Sequence, residues 1–205
     1  MKSTGWRAAL ALAATLVATS AVAQQPGMVR VRGTIEKVDG STLTVKSRDG
    51  STLTVKLADK ARVTALVKAS LADIKVGSFI GVTAMPQPDG SQKAIGLHIF
   101  MDAQKGVVPA RFSQWDRQPG STMTNADVTS TVSSVNGQVM MIKYADGEKK
   151  VIVPPGTPVV KYAPGSMSDL KAGAQIFILG AKKMPDGTLE TAGINVGRDG
   201  AAPPM

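Results

Sequence analysis

Cysteine is absent from the 205-residue sequence, and histidine occurs once, as His98. Without cysteine the chain has no disulfide framework, no thiolate metal ligand and no cysteine nucleophile. A single histidine leaves no histidine pair for a zinc centre and removes most acid–base schemes. The sequence also lacks a nucleophile-elbow motif, a phosphate-binding loop and a dinucleotide fingerprint. We therefore expect a protein that is not an enzyme and that carries no cofactor.

Aromatic residues make up only 4% of the chain, so its core must be built from aliphatic side chains and methionine. Glycine and proline are plentiful, with 21 and 12 residues, which favours many turns over long helices. Several aspartates directly precede a glycine, at positions 39, 49, 89, 146 and 186. Local hydrogen bonding in turns explains this placement better than a pair of catalytic carboxylates does.

Long apolar runs are missing after residue 23. Within the first 23 residues, Lys2 and Arg7 precede the apolar run AALALAATLVA at residues 8–18, and Ala-Val-Ala stands immediately before Gln24. This order is typical of a signal peptide, and the apolar run is too short to span a bilayer, which takes about 20 residues. We expect residues 1–23 to be removed and the mature chain to be periplasmic or secreted, without an integral membrane segment.

The formal net charge is +9, which suggests an anionic partner. Nucleic acid would fit such a charge, but the export signal argues against it. The partners that remain are an envelope protein, an anionic glycan or a lipid head group.

The sequence contains an internal repeat. The segment VRGTIEKVDGSTLTVKSRDG, residues 31–50, resembles VTSTVSSVNGQVMMIKYADG, residues 128–147, at a constant offset of 97. Farther along, LADIKVG (71–77) matches MSDLKAG (167–173), and PDG occurs at both 88–90 and 185–187. A match of this length predicts a duplicated domain.

Each copy shows the pattern of a small β-barrel. Apolar and polar residues alternate in segments such as TLTVKS, and Asp-Gly pairs supply tight hairpin turns. Ser70 with Asp73, and Ser166 with Asp169, predict a short capped helical turn after the third strand. Three strands, a helical turn and two strands are the element order of a five-stranded OB-like barrel.

The predicted fold is therefore all-β, with two tandem five-stranded OB-like small β-barrels, each with one short helical turn. Residues 28–100 would form the first barrel and residues 128–197 the second. Residues 101–127 would form an aromatic and basic linker, and residues 198–205 a tail.

Four sequence features together resemble a known family. They are the duplicated VxGxIxxVDG–TLTVK start, the segment LADIKVGSFIGV, the bridge PGSTMTNADV and the closing NVGRDG. In these the chain is similar to secreted bacterial proteins of a family of unknown function with OB-like repeats. The resemblance implies export and small barrels, and it carries no catalytic or binding residues. Some relatives bear the label "metal ABC transporter permease", which does not suit a chain without multiple spanning segments.

The linker holds the candidate ligand-binding residues, which are Phe112, Trp115, Arg111, Arg117 and Lys105. In one interpretation Trp115 stacks on a sugar, head group or base while the cations hold an anion. In the other, Phe112 and Trp115 pin the linker into the cleft between the barrels, as aromatic anchors do in long loops.

A weaker candidate is a metal site at His98 and Met101, since imidazole and thioether ligands suit copper(I). The methionines are scattered, however, and methionine in strands is usually core filler. The sequence thus favours an exported, non-catalytic binding or assembly module of the cell envelope. The alternative is a periplasmic metal-handling accessory protein for copper or zinc that uses His98 and methionine side chains.

Overall fold

The computed structural model describes residues 27–134 and 137–205, in which β-strands dominate. The predicted signal peptide, residues 1–23, lies outside the described residues. The all-β prediction is confirmed. The described strands are β1 (Met28–Asp39), β2 (Thr42–Ser47), β3 (Thr52–Ala69), β4 (Phe79–Pro86), β5 (Gln92–Ile99), β6 (Arg111–Gln114), β7 (Thr122–Ser134), β8 (Gly137–Tyr144), β9 (Gly147–Val153), β10 (Val159–Pro164), β11 (Gln175–Lys183) and β12 (Leu189–Gly197). Single turns of 3₁₀ helix cover Leu71–Asp73, Asp102–Gln104 and Met167–Asp169.

Local sequence accounts for the strands and their turns. In β2, Leu43 and Val45 are fully buried while the residues between them are not, which is the alternation of a strand with one buried face. Gly40 and Gly50 follow β1 and β2 with φ of +58° and +89°, a region that glycine enters without a Cβ penalty. The Asp-Gly pairs therefore end these strands as hairpin turns.

The two capped turns form as expected. The main-chain N–H and the hydroxyl of Ser70 both donate to Asp73 Oδ2, at 2.7 and 2.9 Å. Ser166 donates to Asp169 in the same way. Each turn then places one apolar side chain, Ile74 or Leu170, inside a hydrophobic core.

Five strands close a barrel. Strand β12 pairs with β11, β11 with β1, β1 with β2 and β2 with β3, and β3 returns to β12 through a parallel ladder. We call these five strands the first barrel. Its interior is aliphatic, with Leu43, Val45, Val55, Ile178 and Val196 among its buried residues.

The remaining long strands form a second ring of pairings. Strand β5 pairs with β4, β4 with β7, β7 with β8 and β8 with β9. A short parallel contact, Gln92 to Val151 and Lys93 to Ile152, joins β5 back to β9. We call these strands the second ring, and its interior forms a separate aliphatic cluster.

This pairing departs from the tandem arrangement, in which residues 28–100 and 128–197 would each close their own barrel. The first barrel takes β1, β2 and β3 from the first copy but β11 and β12 from the second. The second ring takes β4 and β5 from the first copy and β7, β8 and β9 from the second. The predicted division into two contiguous barrels is therefore wrong. The last two strands of each copy pair with the first strands of the other copy.

The exchange takes place where β3 and β10 lie side by side. These strands pair antiparallel from Val159 opposite Ala69 to Pro164 opposite Thr64, and β10 also pairs in parallel with β5. After β3 the chain passes through the capped turn that places Ile74 in the core of the second ring, and after β10 it passes through the turn that places Leu170 in the core of the first barrel. The chain therefore crosses from one group of strands to the other at the ends of β3 and β10.

The alignment of the two copies is also shifted in their first strands. Ile35 exchanges main-chain hydrogen bonds with residues 173–174, and Val128 exchanges them with residues 77–78. Ile35 is thus the structural counterpart of Val128, although the sequence alignment pairs Val128 with Val31. The β7–β8 hairpin is four residues longer than β1–β2, since Ile35 pairs with Val45 and Val128 with Ile142.

The predicted linker and tail are both part of the packed structure. Residues 111–114 form β6, which pairs with β7, and residues 122–127 already belong to β7. The tail packs into a third cluster of buried residues, in which Ala201 and Met205 are 3% and 2% exposed. We refer to residues 101–121 as the strap. No helix in the described ranges has the length and apolar character needed to cross a lipid bilayer.

Candidate functional site

Trp115 anchors the strap on the outside of the first barrel. Its indole is half-buried and meets the ring of Phe177 on β11 edge-on, with the centroids 6.2 Å apart. The guanidinium of Arg30 on β1 lies 4.3 Å from the centroid of the indole, which is a cation–π distance. The indole Nε1 is buried and has no hydrogen-bond partner within the described residues. The residue therefore packs as an anchor.

Asp116 fixes the next position of the strap to the same strand. Its carboxylate accepts from Arg32 at 2.7 and 3.2 Å and lies 3.3 Å from Arg30. Burial alone would raise the pKa of Asp116, but the hydrogen bonds and charges of the two arginines hold it below its ordinary value. Arg32 Nε also donates to the main-chain oxygen of Met205 at 2.9 Å. One arginine thus joins β1, the strap and the tail.

A cationic cleft lies beside this anchor. It has a volume of about 230 Å³ and is bordered by β1, β2, the start of β11, the strap and the tail. Four of its lining residues are basic, namely Arg32, Lys46, Arg48 and Arg117, and none is acidic. We call this feature the cationic cleft.

The cations of the cleft affect one another. Arg48 Nη2 donates to the carbonyl oxygen of Arg117 at 3.1 Å, which holds the two residues together. The pKa of Arg117 is lowered from its ordinary value, first by desolvation and then by the charges of Arg48 and Arg32. Positive charge is therefore concentrated here at some electrostatic cost.

The other candidate residues of the strap lie elsewhere. Phe112 is on β6 and packs near Tyr144 of the second ring, with the two ring centroids 6.2 Å apart. Lys149 Nζ lies 4.7 Å from the centroid of the Phe112 ring. Lys105 forms an ion pair with Asp127 at 2.7 Å and also donates to a main-chain carbonyl oxygen. Arg111 is exposed on β6. Of the five candidates, the structure brings only Trp115 and Arg117 to the same face, on either side of Asp116.

The sequence reasoning missed the basic residues of β1 and β2. Arg30 and Arg32 occupy alternate positions of β1, and Lys46 and Arg48 flank residue 47 at the end of β2. Thr34 and Lys46 face each other in the ladder, so the two basic pairs lie near one another. The alternation of the cations was the available signal, since residues two apart share one face of a strand.

His98 is buried between the barrel and the ring. It is 3% exposed, and its imidazole meets the rings of Phe100 and Tyr162 edge-on at 4.7 and 5.4 Å. Desolvation lowers its pKa to about 3, and Nδ1 has no hydrogen-bond partner in the described part of the chain. Met101 is half-buried against the same cluster. Across the described ranges, no three His, Asp or Glu side chains come together as metal ligands.

Three of the turn aspartates make hydrogen bonds within their own turns. Asp49 and Asp89 each accept from the main-chain N–H and the hydroxyl of a serine two residues on, and Asp186 does so from Thr188. The hydrogen bonds from these partners lower the pKa of each carboxyl. These contacts satisfy the carboxylates within their own turns.

Comparisons with protein-family models, with curated proteins and with solved structures find no significant match for this chain.

Proposed function

We propose that this protein is an exported, non-catalytic binding or assembly module of the cell envelope. In this proposal the first barrel and the second ring are OB-like barrels of a duplicated domain, as in the secreted family that the sequence resembles. The signal-peptide pattern of residues 1–23 supports export. The placement of His98 in an aromatic cluster supports a structural role for the chain's single histidine, since a buried imidazole with a pKa of about 3 is a poor proton shuttle at neutral pH.

The observation that carries the proposal is the cationic cleft beside an anchored strap. Trp115 and Asp116 are engaged by the protein itself, so they hold the strap in place and leave its next residue, Arg117, at the edge of the cleft. A rigid scaffold that presents basic side chains around a cleft is suited to bind an anionic surface or group.

The test is retention of an envelope partner by the mature chain. The immobilised protein is incubated with envelope extract beside the charge-reversed variant Arg48→Glu/Arg117→Glu. A matched control, Lys60→Glu/Lys183→Glu, has the same net charge but places both changes on exposed residues that do not line the cleft. We expect one component to be retained by the wild type and the control and lost by the cleft variant. Equal retention by all three proteins would contradict the proposal.

A further inference from the structure

The basic side chains of the cleft outnumber the acidic side chains that lie beside them. Asp116 binds Arg32 and Arg30, so one carboxylate serves two guanidinium groups. Within the described residues, the side chains of Lys46 and Arg117 form no ion pair or hydrogen bond, and Arg48 uses a single donor. Several charged N–H groups therefore remain available at the cleft.

The scaffold fixes the backbone positions of these cationic residues before any ligand enters. Lys46 is on β2, and Arg48 directly follows that strand, while Arg32 is held by Asp116 and by the main-chain oxygen of Met205. The loop that carries Arg117 is closed by two hydrogen bonds between Trp115 and Ser121. The main-chain N–H of Trp115 donates to the carbonyl oxygen of Ser121 at 2.8 Å, and the hydroxyl of Ser121 donates to the carbonyl oxygen of Trp115 at 3.0 Å. Like charges kept together in this way repel until an anion neutralises them.

The size of the cleft limits what can fill it. Its volume of about 230 Å³ lies below the roughly 300–1,000 Å³ of sites for drug-sized ligands. A small charged group, or the charged end of a larger molecule, fits this space. Guanidinium groups favour oxyanions because their N–H donors match the geometry of phosphate and carboxylate oxygens.

We propose that the cationic cleft binds a compact tetrahedral oxyanion, a phosphate or sulfate group, through Arg117, Arg48 and Lys46. This inference rests on the proposed binding function and names the chemistry of the group that is bound. The oxyanion is either free or the terminal group of a lipid head group or glycan. Arg32 adds its positive charge to the cleft, while three of its N–H groups donate to Asp116 and to the main-chain oxygen of Met205.

The first experiment measures binding of sodium phosphate and sodium sulfate to the mature chain by calorimetry, at constant ionic strength set with chloride. Trp115 fluorescence gives a second readout, since the indole lies beside Arg32. We expect saturable binding with one site per chain. Arg117→Gln and Lys46→Gln are each expected to weaken it by about tenfold or more, because each removes a charge-assisted hydrogen bond. Lys60→Gln is the matched control and is expected to bind like the wild type.

The second experiment compares phosphatidylcholine vesicles that contain phosphatidic acid, an anionic lipid whose phosphate is terminal, with vesicles of phosphatidylcholine alone. Binding to the anionic vesicles that falls with Arg117→Gln assigns the phosphate to a lipid head group. Binding of free phosphate without vesicle binding assigns it to a soluble or glycan-borne group.

The oxyanion proposal is overturned if neither phosphate nor sulfate binds saturably, or if Arg117→Gln and Lys60→Gln behave alike. Unfolding of each variant is followed in parallel, because Arg117 is half-buried whereas Lys46 and Lys60 are exposed; binding is compared only under conditions in which all the variants are folded. If an envelope partner is retained through Arg48 and Arg117 while no oxyanion binds, the binding module stands and only the ligand chemistry is wrong.

Discussion

The imidazole of His98 lies directly against Gly81, its partner in the β4–β5 ladder. A Cβ at position 81 would overlap the ring, which Phe100 and Tyr162 hold from other sides. We expect Gly81→Ala to lower the free energy of unfolding by about 2–3 kcal/mol, since overpacking a dense core forces side chains from their preferred positions. Urea denaturation of the variant beside the wild type measures this.

Gly193 on β12 provides the control for that substitution. A Cβ there would come no closer than 3.9 Å to its nearest neighbour, the carbonyl oxygen of Arg62. Gly193→Ala should therefore leave stability unchanged or raise it slightly. Equal destabilisation by both substitutions would show that the contact with His98 does not matter.

The burial of His98 predicts a dependence of stability on pH. The folded protein keeps this residue neutral down to a pKa of about 3, whereas the unfolded chain protonates it near pH 6.5. Between these values the unfolded state binds one more proton, so stability falls as the pH is lowered. The expected slope is about 1.4 kcal/mol per pH unit below about pH 6.

Urea denaturation curves measured at a series of pH values between 5.5 and 7 test this slope, a range above that in which the carboxyl groups with lowered pKa values contribute. The chain contains no second histidine, and carboxyl groups titrate mainly below this range. In His98→Phe, which keeps an aromatic ring at the site, the slope should disappear. A wild type whose stability is independent of pH, or a variant that keeps the slope, would contradict the assignment.

Alternation along the chain predicted which residues face inward in β2, and the Ser-Asp pairs predicted the capped turns. The pattern could not identify the partner of each strand. Strand β1 pairs with β2 through a short turn, which local sequence specifies, but its other edge pairs with β11, more than 130 residues away. Strand β4 is the counterpart of β11 in the first copy, and the sequence pattern did not show which of the two strands would pair with that edge of β1.

The environment of His98 shows a second limit of the sequence pattern. Leu97 and Ile99 share one face of β5, and His98 faces the opposite way, which would be solvent in an isolated barrel. In the structure that second face packs between the barrel and the ring, so residues 96–100 are almost fully buried on both faces. The charged side chains of the cleft were missed for the converse reason, since an outward-facing arginine is usually only a solvated residue.

Trp115 should contribute to stability as an anchor. Its indole packs against Phe177 and under Arg30, and it borders the third cluster of buried residues. We expect Trp115→Ala to cost about 2 kcal/mol, less than a fully buried tryptophan because the ring is half-buried. Trp115→Phe should cost less, since it keeps an aromatic face for the guanidinium.

Fluorescence of the mature chain tests the same contact, because Trp115 is the only tryptophan beyond residue 6. Its emission should be blue-shifted relative to free indole in water and should resist quenching by acrylamide. Emission like that of free indole, together with an unchanged stability of Trp115→Ala, would exclude an anchoring role.

The exchange of strands predicts that cutting the strap will not separate the two halves. A protease site inserted between Gly106 and Val107, at an exposed bend where Val107 is 77% exposed, divides the chain before β6. Strands β4 and β5 would remain paired with β7 and β9, and β11 and β12 with β1 and β3. We therefore expect the cut protein to elute from a sizing column as one 1:1 complex, and its fragments to separate only in concentrated guanidinium. Uncut protein is the control. Two separate folded fragments in native buffer would instead support contiguous barrels.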